Sequence, residues 1–133
     1  MKVNRLSICT DGASQGNPGP AAIGATIKDE QGKLIGRISQ SIGIATNNQA
    51  EYRAIIAALE EATRLGAKQV DISSDSQLVV RQINGEYRVK KAALKPLYQQ
   101  VKKLQSLLDS FTITHIPRQQ NKEADSLANM AFN

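Results

Sequence analysis

Apolar residues recur along the chain at two different spacings, and the change from one spacing to the other separates predicted strands from predicted helices. Short apolar runs closed by turn residues predict strands in "RLSICTDG", "QVDISSDS" and "FTITHIP". Two more strand-like runs flank the turn signal "DEQGK" within "AAIGATIKDEQGKLIGRISQSIG", which predicts a β-hairpin.

Four segments carry apolar residues at helical spacing. The segment "TNNQAEYRAIIAALEEATRLGAKQ" can be capped by Thr46 or Asn47 and can end at Gly66. Its apolar stripe consists of Ile55, Ala58, Leu59, Ala62 and Leu65. A short helix is predicted in "DSQLVVRQINGEY", a longer one in "ALKPLYQQVKKLQSLLDS" with Pro96 in its first turn, and a closing helix in "NKEADSLANMAF".

The order of these elements, β-β-β-α-β-α-α-β-α, predicts the fold class. Strand–helix–strand units place strands in parallel through right-handed crossovers, whereas the opening hairpin adds antiparallel strands. We therefore expect an α/β fold of three layers, with a mixed five-stranded sheet and helices on both faces. A length of 133 residues predicts a single domain, 1–133.

The composition and charge of the chain exclude several classes of protein and favour others. A single cysteine, Cys9, can form neither an internal disulfide nor a thiolate zinc site. A net charge of +5 favours polyanionic partners. The chain shows no apolar stretch long enough to span a membrane, and its start has no apolar signal core. We therefore expect a cytoplasmic protein that does not enter membranes.

Four acidic residues stand where buried or core-facing positions are predicted. Asp11 and Asp75 end the first and fourth predicted strands, which a crossover helix makes plausible parallel neighbours. Glu51 lies one turn before Ile55 and continues the core-facing stripe of its helix, and Asp125 lies beside the apolar face of the last helix. The four carboxylates are therefore predicted to meet at one edge of the sheet.

Neighbouring carboxylates repel one another unless a positive charge lies among them. An all-oxygen ligand set suits Mg²⁺ or Mn²⁺, so a divalent cation is the predicted partner. Each acid also has a simpler interpretation: Asp11 could form a turn after its strand, and Asp75 could cap its helix. Glu51 could interact with the helix dipole, and Asp125 could be solvated. Only their convergence favours a metal site.

Four motifs, "CTDGASQGNPGPAAIGA", "TNNQAEYRAIIAAL", "SSDSQLVV" and "NKEADSLA", resemble in order and spacing those of the type 1 ribonuclease H family. The resemblance implies a ribonuclease H-like fold and an endonuclease that cuts the RNA strand of RNA·DNA hybrids, leaving 5′-phosphate and 3′-hydroxyl ends. It assigns metal binding to Asp11, Glu51, Asp75 and Asp125. Two Mg²⁺ ions about 4 Å apart would serve the reaction, with Mn²⁺ as a substitute.

The resemblance also assigns substrate contacts. Gly12 and Asn17 match a turn that approaches the RNA strand, and Thr46 and Asn17 match a pocket for a DNA phosphate. Positions that read the minor groove and the 2′-hydroxyls correspond to Asn47, Asn48 and Gln77. Helix capping is the alternative interpretation of Asn47 and Asn48.

The chain departs from the family pattern in two places. A long basic insertion carried by some members is absent, and Lys90, Lys91 and Lys95 are the candidates for a reduced substitute. The catalytic His that many members carry before the last helix is also missing from the loop "PRQQN". Arg118 is the candidate for its role, whereas His115, in the last predicted strand, is expected to be structural.

Three functions therefore stay open at the level of sequence. The first is a monomeric ribonuclease H that acts on hybrids, and the second is a broader nuclease that also cuts double-stranded RNA. The third is a non-catalytic hybrid-binding module or a domain derived from a reverse transcriptase. The complete set of four acids favours catalysis.

Overall fold

The structure of the protein, a computed structural model, describes residues 3–132, and the ends of the expected domain, 1–2 and 133, lie outside the described residues. The elements occur in the predicted order. The strands are β1 (Arg5–Ser14), β2 (Gly19–Lys28), β3 (Leu34–Ala45), β4 (Gln69–Ser74) and β5 (Ser110–His115). The helices are α1 (Asn47–Arg64), α2 (Gln77–Ile83), α3 (Lys95–Gln105) and α4 (Lys122–Met130), with a short 3₁₀ turn at Arg118–Gln120.

The five strands form one mixed sheet in the order β3-β2-β1-β4-β5. β1 pairs antiparallel with β2, and β2 with β3, as the hairpin pattern predicts. β4 lies parallel to both β1 and β5, because α1 and the pair α2–α3 provide the crossovers. The predicted mixed five-stranded α/β sheet is confirmed.

The main core lies between the sheet and α1, α2 and α3. Leu6 and Ile8 of β1 meet the buried stripe of α1, which includes Ile55 and Leu59 as predicted. The long third helix is shorter than expected, since it ends at Gln105 and the chain then turns into β5. None of the helices within residues 3–132 is long and apolar enough to cross a membrane.

The opposite face of the sheet is covered by α4. Gly24 on β2 makes this packing close, because a Cβ atom there would lie 2.3 Å from the Ala124 carbonyl oxygen and 2.4 Å from the Ala128 nitrogen. Ala124 and Ala128 are fully buried. The contact fixes the helix that carries Asp125 against the sheet.

Replacement of Gly24 by Ala is expected to lower the free energy of unfolding by about 1–3 kcal/mol, because the added methyl collides with helix backbone that cannot move aside locally. Gly36→Ala is the matched control on the neighbouring strand, where a Cβ would lie 3.4 Å from the Ile27 side chain, an ordinary contact. Urea unfolding of both variants measures the difference. Equal stability of the two variants would contradict the close packing of α4.

Candidate active site

Asp11 lies inside β1 and not at its end, which corrects the expectation from sequence. β1 continues to Ser14 because this last part of the strand pairs with β2, where Asp11 is opposite Gly24. The parallel pairing of β1 with β4, however, stops at Thr10 and Ser74. Asp11 therefore does lie at the carboxyl edge of the two parallel strands.

Asp75 directly follows Ser74, the last residue of β4, as predicted. It is not the cap of α2, because the Ser76 side chain takes that position and accepts a hydrogen bond from the Val79 amide at 3.4 Å. The capping interpretation of Asp75 is thus wrong. Its carboxylate is therefore available for a role other than helix capping.

Glu51 is buried at the start of α1, with 8% of its surface exposed. Its Oε1 accepts a hydrogen bond of 2.8 Å from the Gly12 amide. A Cβ atom on Gly12 would lie only 2.3–2.4 Å from the backbone of Ala50 and Glu51. The absence of a side chain at Gly12 therefore lets the beginning of α1 reach β1 and brings Glu51 to the strand ends.

These three acids form one cluster. A carboxylate oxygen from each of Asp11, Glu51 and Asp75 lies within 4.8 Å of the others. Asp125, half-buried on α4, lies near enough for its charge to raise the pKa of Asp11. Together with Gly12 to Ser14, Asn47 and Arg118, the four acids line a cavity of about 440 Å³. The predicted convergence of the four carboxylates is present in the structure.

The cluster is electrostatically unfavourable without a cation. Burial, followed by the charges of Asp75 and Asp125, raises the pKa of Asp11 from its ordinary 3.8 to about 8, and Arg118 only partly opposes this rise. Burial and the nearby charges of Asp11 and Asp75 also raise the pKa of Glu51 well above its usual value, against the hydrogen bond from Gly12. A divalent cation would remove this cost, and the all-oxygen donor set suits Mg²⁺ or Mn²⁺.

The sequence and the structure of this chain were compared with those of known proteins. A family model described as reverse transcriptase-like matches residues 9–131. Ribonuclease HI of Halobacterium salinarum is 43% identical over 96% of this chain. The crystal structure of ribonuclease H1 from the same archaeon superimposes with a TM-score of 0.95 at 42% identity, covering 97% of this chain and 98% of that one. The chain belongs to the ribonuclease H family.

Another solved ribonuclease H structure contains nucleic acid. LC11-RNase H1 in complex with an RNA/DNA hybrid superimposes with a TM-score of 0.90 at 41% identity, over 95% of both chains. The present chain spans 64% of the length of the Halobacterium relative, and 35% of a bifunctional Mycobacterium tuberculosis protein that is 42% identical to it.

The raised pKa of Asp11 predicts that the free energy of unfolding of this ribonuclease H family member depends on pH. Between pH 3.8 and about 8, the unfolded chain releases the Asp11 proton while the folded, metal-free protein keeps it. Because the unfolded state then binds fewer protons, the free energy of unfolding is expected to fall as pH rises through this range. Denaturant unfolding in a chelator at several pH values measures the slope.

Asp11→Asn is expected to reduce this slope, because the amide does not titrate. Asp109→Asn, at an exposed position before β5, is the matched control and should keep the wild-type slope. Identical slopes for wild type and Asp11→Asn would contradict the raised pKa.

Arg118 and His115 are placed differently. Arg118 lines the acidic cavity, with its guanidinium 3.9 Å from the Asp125 carboxylate and its side chain 81% exposed. His115 is exposed at the end of β5. Its exposure gives no support to the structural role expected for His115, which stays a prediction, as does the role of Arg118.

The proposed substrate residues divide into two groups. Asn47 lines the acidic cavity and is linked to Asn17, since the Asn47 backbone amide donates to Asn17 Oδ1 at 3.0 Å. The Ser14 backbone amide donates to Asn47 Oδ1 at 2.9 Å. Thr46 is the cap of α1 and accepts from the Gln49 amide at 3.2 Å. The capping interpretation of Asn47 is thus wrong, because Thr46 takes that position.

The residues of the second group are not among those that line the acidic cavity. Asn48, also not the cap of α1, lines a groove of about 530 Å³ together with Lys90, Lys91 and Tyr87. Lys95 borders the neighbouring groove, which shares the Tyr87 wall. Gln77 is exposed as the first residue of α2, directly after the cap Ser76. Whether these residues bind nucleic acid stays a prediction.

Asn121 contacts the site but is not among the site residues predicted from the sequence. Asn121, which the sequence presents only as the start of the last helix, is 1% exposed and makes no capping hydrogen bond. Its amide nitrogen instead donates to the Thr10 carbonyl and to Asp75. Its position four residues before Asp125 could have drawn attention, but nothing local distinguishes it from an ordinary cap.

Proposed function

We propose that this chain is a divalent-metal-dependent endonuclease that hydrolyses the RNA strand of RNA·DNA hybrids. The observation that carries the proposal is the cluster of carboxylate oxygens from Asp11, Glu51 and Asp75, all within 4.8 Å of one another beside a cavity of about 440 Å³. A related ribonuclease H1, 41% identical, is described in complex with an RNA/DNA hybrid. This supports a hybrid as the substrate class.

Mg²⁺ is the proposed cofactor, and Mn²⁺ a substitute. Asp11, Glu51 and Asp75 would hold it, with Asp125 at the margin of the cluster. These ligands are all carboxylate oxygens, as a hard cation requires. Burial and the neighbouring carboxylates raise the pKa values of Asp11 and Glu51, and a bound cation would oppose this rise. When bound, the metal supplies an activated water and stabilisation of charge on the phosphate and leaving oxygen.

The protein's own groups would orient and support this chemistry. The Gly12 amide holds one oxygen of Glu51, which leaves the other oxygen available to a ligand. The exposed guanidinium of Arg118 borders the same cavity and is suited to bind phosphate oxygens with two hydrogen bonds. The expected products carry 5′-phosphate and 3′-hydroxyl ends.

Recognition of the RNA strand is assigned to amide side chains. A 2′-hydroxyl both donates and accepts hydrogen bonds, as does an amide, so Asn47, Asn48 and Gln77 are suited to read it. The oxygens of Asn17 and Asn47 already accept from backbone amides, but each side chain still carries two N–H donors for substrate. Thr46 and Asn17 are the proposed contacts to a DNA phosphate.

A cleavage assay on matched RNA·DNA, RNA·RNA and DNA·DNA duplexes, with Mg²⁺ and with Mn²⁺, tests the function. Cleavage of the RNA strand of the hybrid is expected. Cutting of RNA·RNA as well would favour the broader nuclease, and hybrid binding without cleavage would overturn the catalytic proposal. A monomeric state and a cytoplasmic location stay predictions.

Hybrid binding is expected to weaken steeply as salt rises, because basic side chains that bind phosphates release counterions. Simultaneous replacement of Lys90, Lys91 and Lys95, all exposed, is expected to reduce the slope of log affinity against log salt by about 1 for each lysine that contacts a phosphate. Fluorescence anisotropy with a labelled hybrid at several salt concentrations measures the slope.

A second triple variant controls for net charge alone. It removes the same charge at exposed positions outside both grooves, namely Lys33, Lys68 and Lys103. An equal change of slope in both triple variants would show that the lysines beside the grooves act only through the overall charge of the protein.

A further inference from the structure

The residue Asn121 connects three of the four chain segments that carry the acids. Its amide nitrogen donates to the Thr10 carbonyl at 2.9 Å, directly before Asp11, and to Asp75 Oδ2 at 3.2 Å. Its backbone carbonyl accepts from the Asp125 amide at 3.1 Å and so forms the first turn of α4. One residue thus holds β1, the end of β4 and the start of α4 together.

The backbone of Asn121 also fixes the loop before α4. Its amide donates to the Arg118 carbonyl at 3.0 Å and closes the short 3₁₀ turn. The segment that carries Arg118 is therefore joined to the same residue that contacts Asp75. A displacement of Asn121 would move the loop and the acid together.

The two side-chain contacts of Asn121 require a hydrogen-bond donor at this position. Both neighbours of the Asn121 side chain, the Thr10 carbonyl and the Asp75 carboxylate, are acceptors, so only a donor satisfies them. A carboxylate of the same shape would repel Asp75. Within the described residues, Asn121 Oδ1 has no hydrogen-bond partner although the residue is 1% exposed. An apolar or small residue would avoid that cost, which indicates that the two donated bonds matter.

We propose that Asn121 is a positioning residue, which holds the Asp75 carboxylate in the orientation needed to bind a divalent cation. The inference rests on the proposed metal-dependent function. It concerns Asp75 alone among the ligands, because no other acid side chain is hydrogen bonded to the Asn121 amide within residues 3–132. Residues that orient metal ligands in this way affect metal affinity by about 10–100-fold when they are replaced.

Calorimetric titration of Mg²⁺ into the substrate-free protein is the primary test. Asn121→Ala is expected to weaken Mg²⁺ binding by about 10–100-fold, and the isosteric Asn121→Asp to alter it as well, since the new carboxylate faces Asp75. Asn84→Ala is the matched control, because the Asn84 amide also donates to a strand carbonyl, that of Ile113, at 3.1 Å. Asn84→Ala should bind Mg²⁺ like wild type.

Cleavage kinetics provide the second measurement. Asn121→Ala is expected to need more Mg²⁺ for half-maximal cleavage and to recover part of its turnover at high Mg²⁺, which loss of stability alone would not produce. Wild-type Mg²⁺ affinity in a folded Asn121→Ala protein would overturn the proposal. Weakened Mg²⁺ binding in a protein that cleaves no duplex would support the positioning role while refuting the nuclease function.

A measurement on the unaltered chain covers the case in which the variants do not fold. The side-chain amide resonance of Asn121 should shift when Mg²⁺ is added to the ¹⁵N-labelled protein, because its hydrogen-bond acceptor becomes a metal ligand. The side-chain amide of Asn84 is the internal reference and should stay in place. An Asn121 resonance that does not respond at saturating Mg²⁺ would overturn the proposal.

Discussion

Asp75→Asn is expected to yield a folded protein whose cleavage of RNA·DNA hybrids is slower by about 10³-fold or more, since loss of a charged ligand removes several kcal/mol of metal-dependent stabilisation. The substitution keeps the shape of the side chain, and the new amide oxygen can still accept the hydrogen bond from Asn121. Because Ser76 and not Asp75 caps α2, the helix is unaffected. Single-turnover cleavage with Mg²⁺ measures the loss.

The same substitution is expected to stabilise the metal-free protein. The charge of Asp75 raises the pKa of both Asp11 and Glu51, so its removal relieves repulsion in the folded state. A gain of about 1 kcal/mol would raise Tm by about 4 °C. Thermal unfolding in a chelator measures this gain.

A control variant separates the site from the overall charge. Asp109→Asn removes one carboxylate at an exposed position and should change neither cleavage nor metal-free stability. Full activity in folded Asp75→Asn would show that the acidic cluster is not the catalytic centre. A loss of activity without any gain in metal-free stability would contradict the repulsion argument only.

Arg118→Ala is expected to lower turnover by about 10²–10³-fold, which is typical of the loss of one electrostatic donor to a developing charge. The guanidinium borders the acidic cavity and lies 3.9 Å from Asp125, yet it is 81% exposed and therefore accessible to a phosphate. An arginine stays protonated near neutral pH, so it serves as a donor and not as a general base. The KM for the hybrid should change much less than kcat.

Two further variants make the test of Arg118 specific. Arg118→Lys keeps the charge but not the planar pair of donors, and should recover only part of the turnover. His115→Ala is expected to have little effect on turnover or stability, since the residue is exposed at the end of β5. Normal turnover in Arg118→Ala together with a loss in His115→Ala would reverse the assignment.

The secondary structure and the positions of Glu51 and Asp75 followed from local patterns. Glu51 was predicted by counting one helical turn back from Ile55, because a single helix fixes the angular position of every residue on it. Asp75 was predicted as the residue after a buried strand, and β4 does end at Ser74. Asp11 was assigned to a strand end, but β1 continues to Ser14, since the antiparallel partner β2 extends further than the parallel partner β4.

Capping depends on details that a residue pattern does not contain. The sequence leaves open whether Thr46 or Asn47 caps α1, and for α2 it offers Asp75 although Ser76 is equally suitable. The structure chooses Thr46 and Ser76, so that Asn47 accepts a hydrogen bond from Ser14 and Asp75 is left for the acidic cluster.

By itself, the sequence determined the order of strands and helices, the sheet class and the convergence of the acids, because each of these depends on periodicity and on which strand ends can be neighbours. Only the tertiary structure determines the structural roles of Gly12 and Asn121. Gly12 admits the backbone of α1, and Asn121 donates to Thr10 across 111 positions of the chain. Such contacts depend on distances between segments far apart in sequence, and no local spacing of residue types encodes them.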